Sequence, residues 1–306
     1  MPWMRSRGPA GPLARVLRVV SLVAGALLLA GCMRTPLSAN QVSVAPKCEV
    51  PDVVGYGGAP RQAQPNTLVS VEDAARGGAD YAQVVARTTA DGVPVLMRHA
   101  SVNAATNGRG LVAEIPLSEV KHLRTGSGVR VPTLASALGA AKAIGIPLIV
   151  EIPSDQSPEA VRAIARTAAR SHLARPVMLS ASDPRVLRQA REVAPNVGYA
   201  LVRTRLGPDA ASRAERLDLN AYVLDVRTAV SGPDAVERLR ALADRLGQVD
   251  VDLDVGPVDN PRAWRILERG DADALLTHRP AALDTWEKEY CSSRPEEFPP
   301  QDFPGG

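Results

Sequence analysis

Short apolar runs alternate with segments of helical periodicity from Pro51 onward. The runs have the length of buried strands, and the segments between them have room for helices of about 10 to 15 residues. Such alternation predicts parallel strands joined by right-handed crossovers. The eight strand candidates are Val53–Gly55, Tyr81–Ala86, Pro147–Ile152, Val177–Leu179, Val197–Val202, Ala221–Val226, Val249–Val255 and Ala274–Leu276.

Three of the intervening segments carry a helix start, in which a capping side chain precedes a proline suited to the first turn. These starts are Ser157-Pro158, Asp183-Pro184 and Asn260-Pro261. Eight such units close most economically into an α/β fold of the (β/α)8 TIM barrel type. A doubly wound open sheet is the alternative, but the glycines after the first strand lack the spacing of a dinucleotide fingerprint. We therefore predict the barrel.

The unit after the second strand is interrupted by an insertion. Asp91-Gly92 predicts a tight turn, the apolar run Pro94–Met97 follows, and a Gly- and Asn-rich loop reaches Val131. Insertions of this kind commonly lie over the catalytic face of a barrel, so we expect this one to lie there.

The first 31 residues have the pattern of a bacterial signal peptide. A basic segment is followed by the apolar run Val19–Ala30, which is short for a retained transmembrane helix. The next residues, ending in Cys32, resemble the lipobox of bacterial lipoproteins, in which the cysteine is acylated. A plain secretory peptide with an incidental cysteine is the alternative. The prediction is a protein anchored to the cell membrane by lipid on its extracytoplasmic face.

The chain therefore divides into four predicted parts. Residues 1–31 are the signal peptide, 32–50 the lipidated Cys32 with a tether, 51–291 the barrel, and 292–306 a proline-rich tail that is expected to be disordered. Cys48 and Cys291 remain as an even pair in an oxidising compartment. Because the first and eighth units of a closed barrel are neighbours, a disulfide between these two cysteines is predicted.

The amino-acid composition of the chain limits the kinds of binding partner that are expected. With 45% hydrophobic and 23% charged residues the chain has the material for a packed core. Four of its 36 Lys and Arg residues lie in the predicted signal peptide, which leaves 32 against 33 Asp and Glu. Aromatic residues amount to only 3% and no basic run is present, so nucleic acid is not expected as a partner.

Several short blocks follow one another in the order typical of a known family. They are Asn66-Thr67, Gly78-Ala79-Asp80, Thr89–Val95, Val131–Leu134, Glu151 after an apolar strand, and Thr277 before Pro280. Through them the span from Val53 to Tyr290 resembles the glycerophosphodiester phosphodiesterase family. The resemblance implies a TIM barrel of the phospholipase-C-like phosphodiesterase type. It also implies an activity in which a divalent metal and two histidines let the substrate's glycerol hydroxyl attack phosphorus.

The family's catalytic positions are changed in this chain. Tyr56 stands in place of one histidine and Arg98 in place of the other. Gln83 and Val85 stand in place of a metal-binding Glu-x-Asp pair, and only Glu151 survives of the carboxylates. Ca²⁺ and Mg²⁺ need several oxygen ligands, and a guanidinium cannot serve as a general acid or base at neutral pH. We therefore predict impaired catalysis and no bound metal or other cofactor.

The candidate ligand pocket gathers residues from the predicted carboxyl ends of the strands and the loops beyond them. These residues are Tyr56, Asn66, Gln83, Arg98, Glu151, Asp225 and Asp254. Arg98 is expected either to bind an anion or to form a salt bridge with Glu151. By the strand period of two, Asp250, Asp252 and Asp254 share one face, where they either form a new cation site or pair with arginines. The four histidines, His99, His122, His172 and His278, share no metal-ligand spacing and are interpreted as surface or loop residues.

Three functions remain open at this point. The first is a pseudoenzyme that binds a small phosphodiester or other anionic headgroup at the cell envelope. The second is an active phosphoric diester hydrolase of lipid metabolism with relocated groups, for which the candidates are Asp225, Asp252, Asp254 and Glu151. The third is a non-catalytic scaffold.

Overall fold

A computed structural model describes residues 48–171 and 177–293. Eight of the strands in this part of the chain correspond to the eight predicted runs. The strands are β1 (Asp52–Tyr56), β2 (Tyr81–Thr88), β3 (Pro94–Leu96), β4 (Leu148–Glu151), β5 (Met178–Ala181), β6 (Gly198–Arg203), β7 (Ala221–Asp225), β8 (Asp252–Gly256) and β9 (Ala274–Thr277).

Eight of these strands close into a barrel. Their order around it is β1-β9-β8-β7-β6-β5-β4-β2, and β2 pairs with β1 to complete the circle. Every pairing in the circle is parallel. The prediction of a TIM barrel is confirmed, and the doubly wound alternative is wrong because an open sheet would leave β1 and β2 as unpaired edges.

The remaining strand, β3, lies outside the circle. It runs antiparallel to the end of β2, with Ala86 opposite Leu96. The turn between them contains Gly92 at a φ of +77°, a conformation that glycine adopts without steric cost. The predicted turn at Asp91-Gly92 is thus present, and it directs the chain from the barrel into the insertion.

Helices surround the barrel and begin largely where the capping residues predict. Ser157, Asp183 and Asn260 each accept a hydrogen bond from a backbone N–H of the following turn. The helices are α1 (Leu68–Arg76), α2 (Leu117–Val120), α3 (Leu134–Ile144), α4 (Pro158–Ala169), α5 (Pro184–Arg191), α6 (Ala210–Arg216), α7 (Val226–Ala229), α8 (Ala235–Gly247), α9 (Pro261–Arg269) and α10 (Pro280–Ser292).

Within residues 48–171 and 177–293, buried hydrophobic side chains pack in three clusters. The largest lies between the strands and the surrounding helices. A smaller one fills the interior of the barrel. Its members are Val54, Tyr81, Ile149, Met178, Ala200, Ala221, Val223, Ala274 and Leu276. The third belongs to the insertion, where Met97 packs with valines from 95 to 131. The insertion therefore has a core of its own and holds a defined position against the barrel.

A disulfide links the beginning and the end of the chain segment that forms the barrel. Cys48, before β1, is bonded to Cys291, near the end of α10, with their Cα atoms 5.8 Å apart. This confirms the predicted pairing.

The predicted signal peptide, the acylation of Cys32 and the tether up to residue 47 lie outside the described residues, as do residues 294–306 of the predicted tail. Ser292, the first residue of that tail, ends α10. Within the described ranges, no helix has the length and apolar character needed to cross a membrane.

Candidate functional site at the carboxyl ends of the strands

The barrel interior changes character toward the carboxyl ends of β1, β2 and β4. Alternation along each strand turns every second side chain inward, and the inward residues here include Tyr56, Gln83 and Glu151 instead of aliphatic groups. The strand register places Tyr56 beside Gln83, and Val85 beside Glu151. Gln83, Val85 and Glu151, which stand at the positions of the family's metal-binding carboxylates, are therefore neighbours in the structure.

Both polar atoms of the Gln83 side-chain amide form hydrogen bonds with neighbouring residues. Its amide Nε2 donates to Glu151 Oε2 at 2.7 Å, while its Oε1 accepts from the backbone N–H of Gly57 at 3.0 Å. Because a backbone N–H requires an acceptor, only this orientation of the amide satisfies both partners. Gln83 thus bridges β1 and β4 with a neutral group.

Burial raises the pKa of Glu151, and the nearby Arg98 and Arg87 together with the hydrogen bond from Gln83 oppose the rise only in part. Arg87 is itself paired with Asp155, at 3.0 Å between Nη1 and Oδ1. No salt bridge joins Arg98 to Glu151, so the alternative prediction for Arg98 is wrong. The carboxyl of Glu151 remains close to positive charge without direct neutralisation.

Arg98 instead contacts Tyr56. Its guanidinium lies over the tyrosine ring, 4.8 Å from the centroid, and its Nη2 donates to the tyrosine Oη. The side chain is exposed, and this contact with an aromatic ring leaves part of its planar set of donors accessible. The arrangement presents a permanent cation at the mouth of the barrel.

A cavity of about 100 Å³ adjoins Arg98, between the loop after β1 and the insertion. Its lining includes Asn66 and Arg98 of the predicted pocket, with His99 and Thr125 as further polar members and Leu96 among the apolar ones. Asn66 adopts a φ of 59° and its Oδ1 accepts from the N–H of Val85 at 2.7 Å, which fixes the cavity wall to β2. The insertion therefore lies beside this face, as expected.

Asp225 is at the carboxyl end of β7, as predicted, but it has a structural partner. Its carboxylate accepts from the backbone N–H of Arg227 at 2.9 Å and from the guanidinium of the same residue at 3.1 Å. These hydrogen bonds lower the pKa of Asp225 against the opposing effect of burial. The residue caps α7 and is not among the residues that line the cavity.

The prediction that Asp254 belongs to the pocket is wrong. Its neighbour across the sheet is Ala274, the first residue of β9, and the charges that act on it come from Asp52, Asp252 and Asp273 at the amino ends of their strands. The side chain is 0% exposed. The relocated set that combined Asp254 with Glu151 and Asp225 is therefore split between the two ends of the barrel.

The predicted triplet of aspartates on one strand face is also wrong, since β8 begins only at Asp252. Asp250 precedes it at a φ of 59°, in the left-handed turn that follows α8, and is exposed. Only Asp252 and Asp254 share a strand face.

The sequence interpretation missed a paired histidine at the carboxyl end. His278 follows β9, and its Nδ1 lies 2.9 Å from Oδ2 of Asp259 in the loop after β8. The other carboxylate oxygen of Asp259 accepts from the backbone N–H of His278 at 2.9 Å and from Oγ1 of Thr277 at 3.0 Å. The sequence contained one signal, the position of His278 directly after a barrel strand, but its partner could not be read from spacing.

The donor set at the family's metal position does not fit a divalent cation. Val85 offers no side-chain oxygen, the side-chain oxygen Oε1 of Gln83 accepts from Gly57, and one oxygen of Glu151 accepts from Gln83. Within the described ranges no group of three or more His, Cys, Asp or Glu is arranged to hold a metal. Hard cations require several oxygen ligands, most of them charged, and one half-buried carboxyl does not supply them.

A closed parallel barrel with polar side chains gathered at the carboxyl ends defines a TIM-barrel protein, and this is the face at which enzymes of this fold place their active sites. Residues 57–282 match the sequence model of the glycerophosphoryl diester phosphodiesterase family. The chain belongs to that family.

Similar proteins agree with this assignment. The chain is 27% identical over 158 residues to human glycerophosphodiester phosphodiesterase 1, covering 44% of this chain and 48% of the human protein. It is 28% identical over 136 residues to a glycerophosphodiester phosphodiesterase of Bacillus subtilis, covering 40% of this chain and 46% of the relative. The chain thus spans about half the length of these curated relatives.

Solved structures share the fold. A phosphodiesterase of Oleispira antarctica in complex with its product sn-glycerol-3-phosphate superposes with a TM-score of 0.69 at 20% identity, covering 78% of this chain and 97% of that one. A glycerophosphodiester phosphodiesterase of Thermotoga maritima gives 0.63 at 18% identity, covering 78% and 98%.

Proposed function

We propose that this chain is a catalytically impaired member of its family that binds a phosphodiester or another anionic headgroup at the mouth of the barrel. The observation that carries the proposal is the Gln83 amide, which bridges Gly57 and Glu151 at the position where the family's metal-binding carboxylates would meet. A hydrogen-bonded neutral bridge stabilises the strand ends and offers no charge to a cation.

The remaining groups at the mouth support binding over hydrolysis. Arg98 stands in place of a histidine, and a guanidinium can bind phosphate but cannot exchange a proton with the leaving group. The adjoining cavity has both apolar and polar lining, which suits the alcohol portion of a small diester. The nearby positive charge also compensates for the absent metal in holding an anion.

The proposal includes a location. The Leu-Ala-Gly-Cys sequence that ends at Cys32 supports acylation and anchoring of the protein to the extracytoplasmic face of the cell membrane. A headgroup-binding barrel attached there would work close to the lipids from which glycerophosphodiesters derive. Labelling of cells with an alkyne fatty acid, compared between the wild type and Cys32→Ala, tests this part.

Catalytic impairment is tested by hydrolysis of glycerophosphocholine with added Ca²⁺ or Mg²⁺. We expect no turnover by the wild type. Turnover that disappears with a chelator and in Glu151→Ala would contradict the proposal, because it would show that the single carboxylate supports a working metal site.

Ligand binding is tested by calorimetric titration with sn-glycerol 3-phosphate and glycerophosphocholine. Arg98→Ala removes charge-assisted hydrogen bonds, which contribute about 1.5 to 3 kcal/mol, so the affinity should fall by roughly tenfold to a hundredfold. Arg265→Ala, which removes an exposed arginine of α9, is the matched control and should bind as the wild type does. Absence of binding by the wild type itself would favour the scaffold function.

A further inference from the structure

His278 and Asp259 form a rigid pair that the proposed site has not yet used. Asp259 is held by three hydrogen bonds, from the backbone and ring of His278 and from Thr277. Burial raises the pKa of Asp259, but these hydrogen bonds and the charge of His278 outweigh it and lower the pKa overall. The carboxylate therefore stays ionised, and it faces Nδ1 of the imidazole.

The orientation of the ring leaves its other nitrogen available. Because Nδ1 is bound to Asp259, Nε2 lies on the opposite edge of the imidazole, away from that carboxylate. The side chain of His278 is 34% exposed, so a ligand at the mouth can reach it. With Asp259 at Nδ1 and an anionic ligand at Nε2, both ring nitrogens would face an acceptor, an arrangement in which an imidazole can donate from both of them.

Tyr56 connects this pair to Arg98. The imidazole meets the tyrosine ring edge-on with their centroids 5.2 Å apart, and the guanidinium of Arg98 lies 4.8 Å from the same centroid. Since both distances refer to one ring, the two basic groups are at most about 10 Å apart. A small diester is long enough to extend from one of these groups to the other.

We infer that His278, oriented by Asp259, is a second cationic arm of the anion site and donates from Nε2 to the phosphate that Arg98 binds. The inference rests on the proposed function. Donors from two different residues hold a phosphate group by separate oxygens, which fixes the orientation of the phosphate and adds to the electrostatic attraction. Asp259 acts as a positioning residue and does not contact the ligand.

The inference is tested by titrating the full-length protein with sn-glycerol 3-phosphate and with glycerophosphocholine. The variant His278→Asn loses one charge-assisted hydrogen bond to the ligand. Its affinity should therefore be about tenfold to a hundredfold lower than that of the wild type. His278→Arg, which keeps a cation, should recover part of this loss. His122→Asn, at an exposed histidine of the insertion, is the matched control and should leave the affinity unchanged.

The salt dependence separates a charged contact from a structural role. Affinity of the wild type should decrease more steeply with ionic strength than that of His278→Asn, because the variant has one charge fewer at the ligand. Asp259→Asn should behave like a weaker form of the His278 variant. His278→Gln provides a second replacement if His278→Asn does not fold, as judged by thermal melting.

The outcomes distinguish this inference from the function on which it rests. If His278→Asn and His278→Gln fold and bind like the wild type while Arg98→Ala loses binding, the ligand contact inferred for His278 is wrong. The anion site at Arg98 is then still supported. If the wild type binds neither ligand, the proposed function is overturned and the inference with it.

Discussion

Glu151 and Asp254 both point into the barrel, but they lie toward opposite ends of it, and their surroundings are opposite in kind. Glu151 accepts a hydrogen bond of 2.7 Å from Gln83 and is close to two arginines. Asp254 is completely buried, and neither of its carboxylate oxygens has a hydrogen-bond partner among the described residues. The charges that act on it are those of other aspartates.

The two ends of the barrel therefore give a buried acid different electrostatic surroundings. Burial raises the pKa of both acids, but at Glu151 the rise is opposed, whereas at Asp254 the neighbouring acids Asp252, Asp273 and Asp52 increase it further. The carboxyl end thus combines charges of both signs around an accessible mouth. The amino end accommodates a buried acid whose pKa is raised by burial and by its acidic neighbours, which affects stability and has no route to a ligand.

The largest expected effect comes from removing the disulfide, which should lower the stability of the fold without changing the ligand affinity at the mouth of the barrel. Replacing Cys48 and Cys291 by serine opens a loop with a sequence separation of 243 residues. In the chain-entropy model such a loop contributes about 4 to 5 kcal/mol, and strain or residual structure commonly lowers this value. The free energy of unfolding in urea, measured without reductant, should fall by an amount of this order.

The affinity of the same variant for sn-glycerol 3-phosphate should match that of the wild type. A variant that is as stable as the wild type would contradict the stabilising role of the disulfide, and a parallel loss of ligand affinity would show that the mouth of the barrel depends on it.

Asp254→Asn should stabilise the protein by about 2 kcal/mol at pH 7, because it removes a buried acid that has no partner. The folded pKa lies well above the unfolded value, so the folded state holds the proton more tightly. The stability of the wild type therefore decreases as the pH rises from about 4, near the unfolded pKa of Asp, up to the raised folded pKa. The advantage of the variant should grow over the same interval, which thermal melting at several pH values measures.

Asp250→Asn is the control for this change, since Asp250 is exposed and precedes the strand. It should show no comparable pH-dependent gain. Equal pH profiles for Asp254→Asn and the wild type would mean that Asp254 has a partner that neutralises it.

Glu151→Gln should give the smallest change, about 1 kcal/mol of stabilisation at pH 7. The pKa of Glu151 is raised in the folded state, so the sign is the same as for Asp254 and the loss of stability again begins near the unfolded pKa of about 4. The effect is smaller because Gln83, Arg87 and Arg98 favour the ionised form. A gain as large as that of Asp254→Asn would contradict the contrast between the two acids.

Local sequence was sufficient for most of the architecture. The apolar runs located the eight barrel strands, and the three capping residues before proline marked the starts of α4, α5 and α9. The pairing of Cys48 with Cys291 followed from parity and from the adjacency of the first and last units. These features depend on near neighbours in the chain or on a closed topology, and both can be read from pattern.

The candidate site could be predicted only in part. Tyr56, Gln83, Arg98 and Glu151 lie near the mouth as expected, because motif order places them at strand ends. Asp254 and the partnership of His278 with Asp259 could not be predicted in the same way. The first required knowledge of where β8 begins, and the second a contact between two loops that are 19 residues apart.

What the sequence by itself determined is therefore the set of strands, the faces of their side chains and the identity of the family. Only the tertiary structure decided how deep each inward residue lies, which of them touch, and that Gln83 spans the position of the absent metal ligands. The physical reason is that the period of two along a strand selects a face but not a depth. The depth is set by the stagger between strands when the barrel closes, and this placed Glu151 at the mouth and Asp254 near the amino end.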